Sequence, residues 1–504
     1  MSIKRRDFLK ISGLTAALAA LAACRAQVPP NLLPTATIQA RPASPFSGAV
    51  GSTSDPADVL ISRALRRIQF APTLADLAHA RQIGLDAYIE EQLAPGSISD
   101  PDVEPRLAKF ETISMGPLQL SQVDPAHKPG QQLGQAALLR AVYSQRQLYE
   151  LMVDFWSDHF NIYLGKTLDR YLKTVDDREV VRPHALGKFR DLLSASAHSP
   201  AMLVYLDNAL SNRQAPNENY ARELMELHTL GVDGGYTQGD VHEVARALTG
   251  WTVAGPRSQN PGTFLFNAGN HDDGAKLILG RSFPAGQGIQ DGEQLLDLLA
   301  AAPATAQFIC GKLVRRFVDD NPPPALVASA AGAFTKTGGD LTQVMSVILH
   351  SSEFKTSLGS KIKRPFEFVA SALRASGANF DPDLPSLGVL KRMGQPLFGW
   401  ETPNGFPDSA AAWITTTGVL SRWNYALALA FNTFKDTHLE PASLIPVPAN
   451  NADGIDALSL RLLGEALPGA ERQIILDFAG NARFETIVPA LTALILSTPA
   501  FFYR

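Results

Sequence analysis

The sequence predicts a mainly α-helical protein, a multi-helix, bundle-like body with a small β-hairpin or sheet insertion and long loops. Three observations lead there. Apolar residues recur at helical spacing over residues 138–155, 180–197, 220–230, 241–248, 304–318, 325–334, 341–349, 365–375, 421–434 and 486–496. No run of alternating strands and helices suggests a doubly wound sheet. The composition, 45% hydrophobic and 19% charged over 504 residues, is that of a globular chain and excludes disordered, collagen-like and coiled-coil classes.

The N-terminus comes first in order. Lys4-Arg5-Arg6-Asp7-Phe8-Leu9-Lys10 places a twin arginine before a weakly apolar run, residues 11–23. That run is too short to cross a bilayer, which takes ~20 residues. A charged start, a short apolar middle and small residues at its end make a signal peptide, and the twin arginine points to the pathway that exports folded proteins. The run closes on Leu21-Ala22-Ala23-Cys24. This resembles a bacterial lipobox, in which Cys24 is acylated and becomes the first mature residue; the competing reading is a plain cleavable signal. The expected address is the cell envelope, with the lipid on the outer side of the cytoplasmic membrane or in the outer membrane.

Residues 24–56 are rich in Pro, Ala, Ser and Thr and read as a flexible tether. Residues 57–504 read as one large helical domain. The net charge is −4, and removing residues 1–23 with their four basic and one acidic side chains takes it to −7, so no nucleic-acid partner is expected. The only cysteine besides Cys24 is Cys310, within Phe308-Ile309-Cys310-Gly311. It reads as a small buried apolar residue, and no disulfide or thiolate metal cage is available to the mature chain.

Two stretches break the helical pattern. Residues 263–266 and 275–279 flank 267–274 and read as the two arms of a hairpin or a small sheet. Residues 380–412, rich in Pro, Gly and Asp, read as a long irregular loop of the kind that is often functional.

The densest polar segment is Asn217-Glu218-Asn219-Tyr220-Ala221-Arg222-Glu223-Leu224-Met225-Glu226-Leu227-His228, closed by Gly231. A second helix follows, with Thr237 as N-cap and Asp240 three residues on in a capping box, then Val241-His242-Glu243-Val244-Ala245-Arg246. The two form a helical hairpin. Together with Phe155-Trp156-Ser157-Asp158-His159-Phe160, Lys312-Leu313-Val314-Arg315-Arg316-Phe317, Lys363-Arg364-Pro365-Phe366-Glu367 and Met393-Gly394-Gln395-Pro396-Leu397-Phe398, this block closely resembles the bacterial family called domain of unknown function 1800. The resemblance spans roughly residues 57–504. Many members follow Gly-Gln-Pro-Leu-Phe with Pro-Pro-Asn and a Gly-Trp pair; here the order is Gly399-Trp400-Glu401-Thr402-Pro403-Asn404-Gly405, so the chain resembles a sub-branch. The family's function is not established. The resemblance implies a genomic neighbour that is a secreted, sulfatase-like protein, and hence a co-secreted partner.

Two readings of the hairpin stand side by side. Four carboxylates, Glu223, Glu226, Asp240 and Glu243, are brought close by the two helices and are the candidate catalytic groups, as acid and base. His159, Glu223 and His228 are the candidate metal ligands, and a divalent metal fits such a set. Arg222, Trp400, Asn404 and Asp408 are the candidate substrate contacts, the aromatic ring stacking on a sugar-like ring. Against this, Glu218–Arg222 and Arg222–Glu226 at i, i+4 are spacings at which charges lace a helix to itself, and Asp240 already has a capping role. No His-Glu-x-x-His, phosphate loop around Lys166, Gly-x-Ser-x-Gly elbow or covalent-haem motif occurs. The leading expectation is an extracytoplasmic enzyme acting on a surface or environmental polymer; the alternative is a non-catalytic binding or assembly partner.

Overall fold

The computed structural model describes residues 55–380, 384–435 and 437–504. The signal, Cys24 and nearly all of the tether lie outside the described residues. The body is built of helices with three two-stranded antiparallel sheets, so it is mainly α with small β insertions. Among the described residues no helix is long and apolar enough to cross a membrane. Chain packing divides the body into two compact units. The first takes residues up to 88, 357–395 and 409–504; the second takes 89–356 and 396–408.

The first unit packs Pro56–Ile68, Leu74–Ile83, Pro365–Ser376, Thr416–Ala430, Asn451–Leu463 and Phe484–Leu496 around Leu65, Ile68, Phe368, Leu373, Leu429, Leu458 and Leu491, all buried. Thr73 and Asp76 form a capping box that starts the second of these helices. The expected irregular stretch 380–412 contains a helix, Leu384–Arg392, and a short one, Ala410–Trp413. The glycines and prolines that suggested a loop there cluster in 394–408.

The second unit carries the central hairpin. Its long predicted helix over 138–155 is two helices, Lys128–Tyr143 and Gln147–His159. They break where Ser144 turns extended and its hydroxyl binds the Asp100 carboxylate at 2.7 Å. The predicted run 180–197 begins as a widened turn, Asp177–Val181, and resumes as Phe189–Ala197. The strand expectation also changes partners. Phe264–Phe266 pairs backward with Trp251–Val253, and Lys276–Ile278 pairs forward with Arg281–Phe283. The second hairpin turns through Leu279 and Gly280, both at positive φ, as a two-residue turn requires. Cys310 is fully buried among Ile309, Leu313 and Val314, and burial raises its thiol to about 12, an inert apolar group as expected.

Candidate functional site

The helical hairpin forms as its sequence pattern demands. Glu218–Glu226 starts on the Asn217 side chain, which accepts from the Asn219 amide. Gln238–Ala247 starts on the Thr237–Asp240 capping box. Tyr220, Ala221, Leu224 and Met225 on one helix and Val241, Val244 and Ala245 on the other are buried. That leaves Glu223 and Glu226 on the flank, each half-buried. The first helix closes at Leu227, and the turn after it reaches Gly231 at φ +83°, where a Cβ would stand 2.8 Å from the Phe308 ring.

The four carboxylates separate into two kinds. Asp240 accepts from the Thr237 amide and hydroxyl at 2.8 and 2.7 Å and from the Leu279 amide at 2.7 Å. These bonds outweigh its partial burial and hold it below the usual carboxylate range. Glu243 is bound by Arg246 at 2.8 Å and by the Leu277 amide at 3.2 Å, while Arg246 also grips Asp272 at 2.8 Å. Asp240 and Glu243 therefore anchor the Lys276–Phe283 hairpin. Both carboxylates, expected as catalytic groups, are engaged in that architecture. Arg222 pairs with Glu218 at 3.3 Å and Gln238 at 2.9 Å, so the expected lacing to Glu226 does not form and the guanidinium is held away from an open substrate contact. Glu223 and Glu226 have no hydrogen-bond or ionic partner among the described residues. Partial burial, and then the charge of Glu226, raises Glu223, with Arg222 opposing.

His159 is 2% exposed and uses both ring nitrogens. Nε2 lies 3.1 Å from the His228 carbonyl and Nδ1 lies 2.9 Å from Lys312 Nζ. The ammonium can only donate, so Nδ1 accepts and the ring is neutral with its proton on Nε2. Burial, and then the lysine charge, pushes His159 well below its ordinary value. His228 is fully buried with neither ring nitrogen partnered, and burial followed by Lys312 brings it down to about 3. Lys312 is itself lowered to about 8 by burial, against the pull of Asp158 and Asp408. Among the described residues no three His, Cys, Asp or Glu side chains gather as metal ligands. His159, Glu223 and His228 thus do not meet as the expected ligand set, because a lysine and a carbonyl occupy the first imidazole.

The segment 396–408 belongs to the same unit and is strapped down through its carbonyls. Leu164 donates its amide to Phe398 O at 3.0 Å, Asn161 Nδ2 donates to Trp400 O at 3.0 Å and Thr402 O at 2.8 Å, and Tyr205 donates its hydroxyl to Glu401 O at 2.8 Å. Trp400 packs at a tilt against Phe406 with centroids 4.9 Å apart, and its indole donates to Asn404 Oδ1 at 2.9 Å. Asn404 also accepts from the Thr402 hydroxyl at 2.7 Å. Gly405 sits at φ +70° with its Cβ direction 2.1 Å from the Asp158 carbonyl oxygen, so only glycine fits. Asp408 lies 3.6 Å from Arg316, which also binds Asp154 at 2.8 Å. Asp408, expected as a substrate contact, is an ion-pair partner of Arg316. Trp400 and Asn404 brace each other at the half-exposed edge.

Behind the strap lie groups that the sequence reading missed. Asp169 is fully buried and neither carboxyl oxygen has a partner. Burial, and then the charge of Asp176, raises it to about 8. Tyr205 is 5% exposed and pushed up to about 12, first by burial, and its hydroxyl feels the charges of Asp169, Glu223 and Glu401 together. The Lys173–Asp176 ion pair, 2.6 Å long and buried, lies beside it with Lys173 above the Phe398 ring. Tyr205 thus ties the strap through Glu401 O, with Asp169 and Glu223 acting on its hydroxyl through their charges. An Asp in the first turn of a helix reads in sequence as an ordinary partner of the helix dipole; nothing local announces its burial.

A mainly helical exported protein is what the fold and the N-terminal signal define. Residues 2–22 match the twin-arginine translocation pathway signal sequence, which directs export across the cytoplasmic membrane. The chain belongs to the family described as "Protein of unknown function (DUF1800)", whose model matches residues 63–503. No curated protein and no solved structure matches it.

Proposed function

We propose that this exported protein is an acid–base hydrolase acting on a cell-surface or environmental polymer, tethered to a membrane by a lipid on Cys24. The observation that carries the reading is a contrast within one hairpin: Asp240 and Glu243 are fixed by hydrogen bonds, whereas Glu223 and Glu226 are half-buried and bound to nothing. Two neighbouring carboxyl groups left free in this way can divide the work of acid and base. Glu223, raised by burial and then by the charge of Glu226, is the group placed to give a proton, with Glu226 one helical turn along as the second carboxyl group. Trp400, braced by Asn404 and Phe406, offers a ring face for a sugar-like unit.

The test is release of soluble fragments from a panel of insoluble glycans and cell-wall preparations by the purified protein. Glu223→Gln and Glu226→Gln should each lower the rate by about 100-fold or more while leaving the fold intact. Equal rates in all three proteins sink the assignment of these residues. Absence of release from every polymer, with specific capture of a co-secreted protein, favours the assembly reading. Elemental analysis of protein purified without chelator bears on the metal: less than one equivalent removes a metal-assisted form. The tether is tested separately, since Cys24→Ser should move the protein from the membrane fraction to the soluble one.

A further inference from the structure

In the second unit, two imidazoles hold the first turn of the Gln290–Ala301 helix, Asp291-Gly292-Glu293, against a small sheet. Trp251 pairs with Phe266 and Val253 with Phe264, so Trp251, Phe264 and Phe266 share one face of that sheet. Gly292 sits on the Trp251 ring, where a Cβ would come within 2.2 Å, so the helix backbone itself covers the indole. The carboxylate on each side of Gly292 takes a histidine. His198, at the end of the Phe189–Ala197 helix, packs with its centroid 4.5 Å from both the Trp251 and Phe264 rings, and its Nε2 is 3.0 Å from Glu293 Oε1. His271, 3% exposed, packs 5.3 Å from the Phe266 ring, with its Nε2 3.1 Å from Asp291 Oδ2.

The other nitrogen of each ring decides what these contacts are. His198 Nδ1 is 2.8 Å from the Ser194 carbonyl, and His271 Nδ1 is 2.8 Å from the Thr249 carbonyl. A carbonyl only accepts, so both Nδ1 atoms carry a proton. The Thr249 hydroxyl, 3.3 Å from His271 Nδ1, does not change this, because it donates to Arg246 O at 2.6 Å. In a neutral ring the bare lone pair of Nε2 then faces a carboxylate oxygen, acceptor against acceptor. A second proton turns each contact into a charge-assisted hydrogen bond. The neighbouring cations are Arg190, which binds Glu293 Oε2 at 3.2 Å and Asp297 at 2.6 Å, and Lys276, which binds Asp291 Oδ2 at 2.6 Å. They keep the carboxylates ionised and oppose the extra proton, but they do not remove the clash of acceptors at Nε2. Beyond Thr249, Arg246 is matched by Asp272 and Glu243, and Asp273 accepts from the Gly288 amide at 3.2 Å.

We propose that His198 and His271 form a proton-operated clasp: each takes up a proton as the first turn of the 290–301 helix closes on the sheet, so acid tightens this region and rising pH loosens it across the histidine range. The closed form binds more protons than the open one, which sets the sign. The clasp adjoins the candidate hairpin, because Asp272, next to His271, is gripped by Arg246 of the Gln238–Ala247 helix. It does not depend on a catalytic reading of Glu223 and Glu226.

The experiment uses the full mature chain and reads amide hydrogen exchange by mass spectrometry in the peptide covering 290–301. Rates are taken at intervals from about pH 5.5 to about pH 8.5 and corrected for the intrinsic pH dependence of exchange. Protection of this peptide in the wild type should fall by about tenfold or more over that range. In the double variant His198→Gln with His271→Gln the fall should vanish. Asp169 also favours acid, but it acts on wild type and variant alike and cancels in the comparison. Where the double variant fails to fold, Glu293→Gln replaces it. Its amide can donate to a neutral Nε2, so the contact survives while its pH dependence goes, and the fall should be smaller than in the wild type. An equal fall in wild type and variants, or wild-type protection that does not change with pH, overturns the proposal.

Discussion

Asp169 gives the sharpest prediction, because its environment sets both a sign and a size. The side chain is wholly buried, its two oxygens have no partner, and its acidity is shifted from 3.8 to about 8. Burial comes first among the causes, then the charge of Asp176, with Lys166 and Lys173 opposing. Between those two pH values the unfolded chain has released the proton while the folded chain keeps it. The unfolded state therefore binds fewer protons, and stability falls as pH rises from about 4 to about 8. At pH 7 some three pH units separate the group from its ordinary value, at 1.36 kcal/mol each, for a cost of about 4 kcal/mol. Asp169→Asn keeps the shape and cannot ionise. Its buried amide adds a cost, but one that does not depend on pH. The quantity to measure is therefore the difference in urea-unfolding free energy between variant and wild type at pH 4, 5.5, 7 and 8. That difference should move in favour of the variant by about 3–5 kcal/mol from pH 4 to pH 8. A difference that stays flat within 1 kcal/mol across that range refutes the argument.

Two further predictions come from the same unit. Gly405→Ala puts a methyl group 2.1 Å from a backbone oxygen at φ +70°; the loss should be about 2 kcal/mol or more in thermal unfolding, since neither partner is a side chain that can swing away. Lys312, lowered to about 8 by burial, should show a midpoint near 8 in competitive acetylation across pH 6–11, while surface lysines titrate near 10.4. His159→Gln should move that midpoint, because the imidazole is the only hydrogen-bond acceptor of its ammonium among the described residues.

The helical class was readable because a buried stripe at 3.6-residue spacing is a local property, and Val241, Val244 and Ala245 show it plainly. The Thr237–Asp240 capping box was readable for the same reason: its bonds close within one turn. Strand pairing was not. Residues 264–266 and 276–278 have the composition of strands, but their partners, Trp251–Val253 and Arg281–Phe283, are chosen by the backbone that follows each turn. The Leu279-Gly280 turn was a usable signal for the second hairpin, with glycine at one of its two positive-φ positions. The candidate site was half readable. Helix spacing put Glu223 and Glu226 on one flank, as expected, but the fate of Asp240 and Glu243 is decided by the amides of Leu279 and Leu277, 39 and 34 residues away. Asp169 and Lys312 were invisible because burial is what makes them unusual, and burial is tertiary.

The two units carry complementary electrostatic loads, and both bear on how the protein reaches its place. The second unit holds a carboxyl group, Asp169, that folding keeps protonated; the first holds the buried Arg422, whose Nε and Nη1 have no acceptor. Neither arrangement adds stability, since a buried polar group without a partner costs free energy. Nor can a disulfide compensate, because the one thiol of the described body is buried and raised to about 12. Burial of apolar surface in each unit must therefore offset these costs before the charges can be enclosed. A twin-arginine signal on residues 2–22 suits such a chain, since its pathway carries proteins already folded.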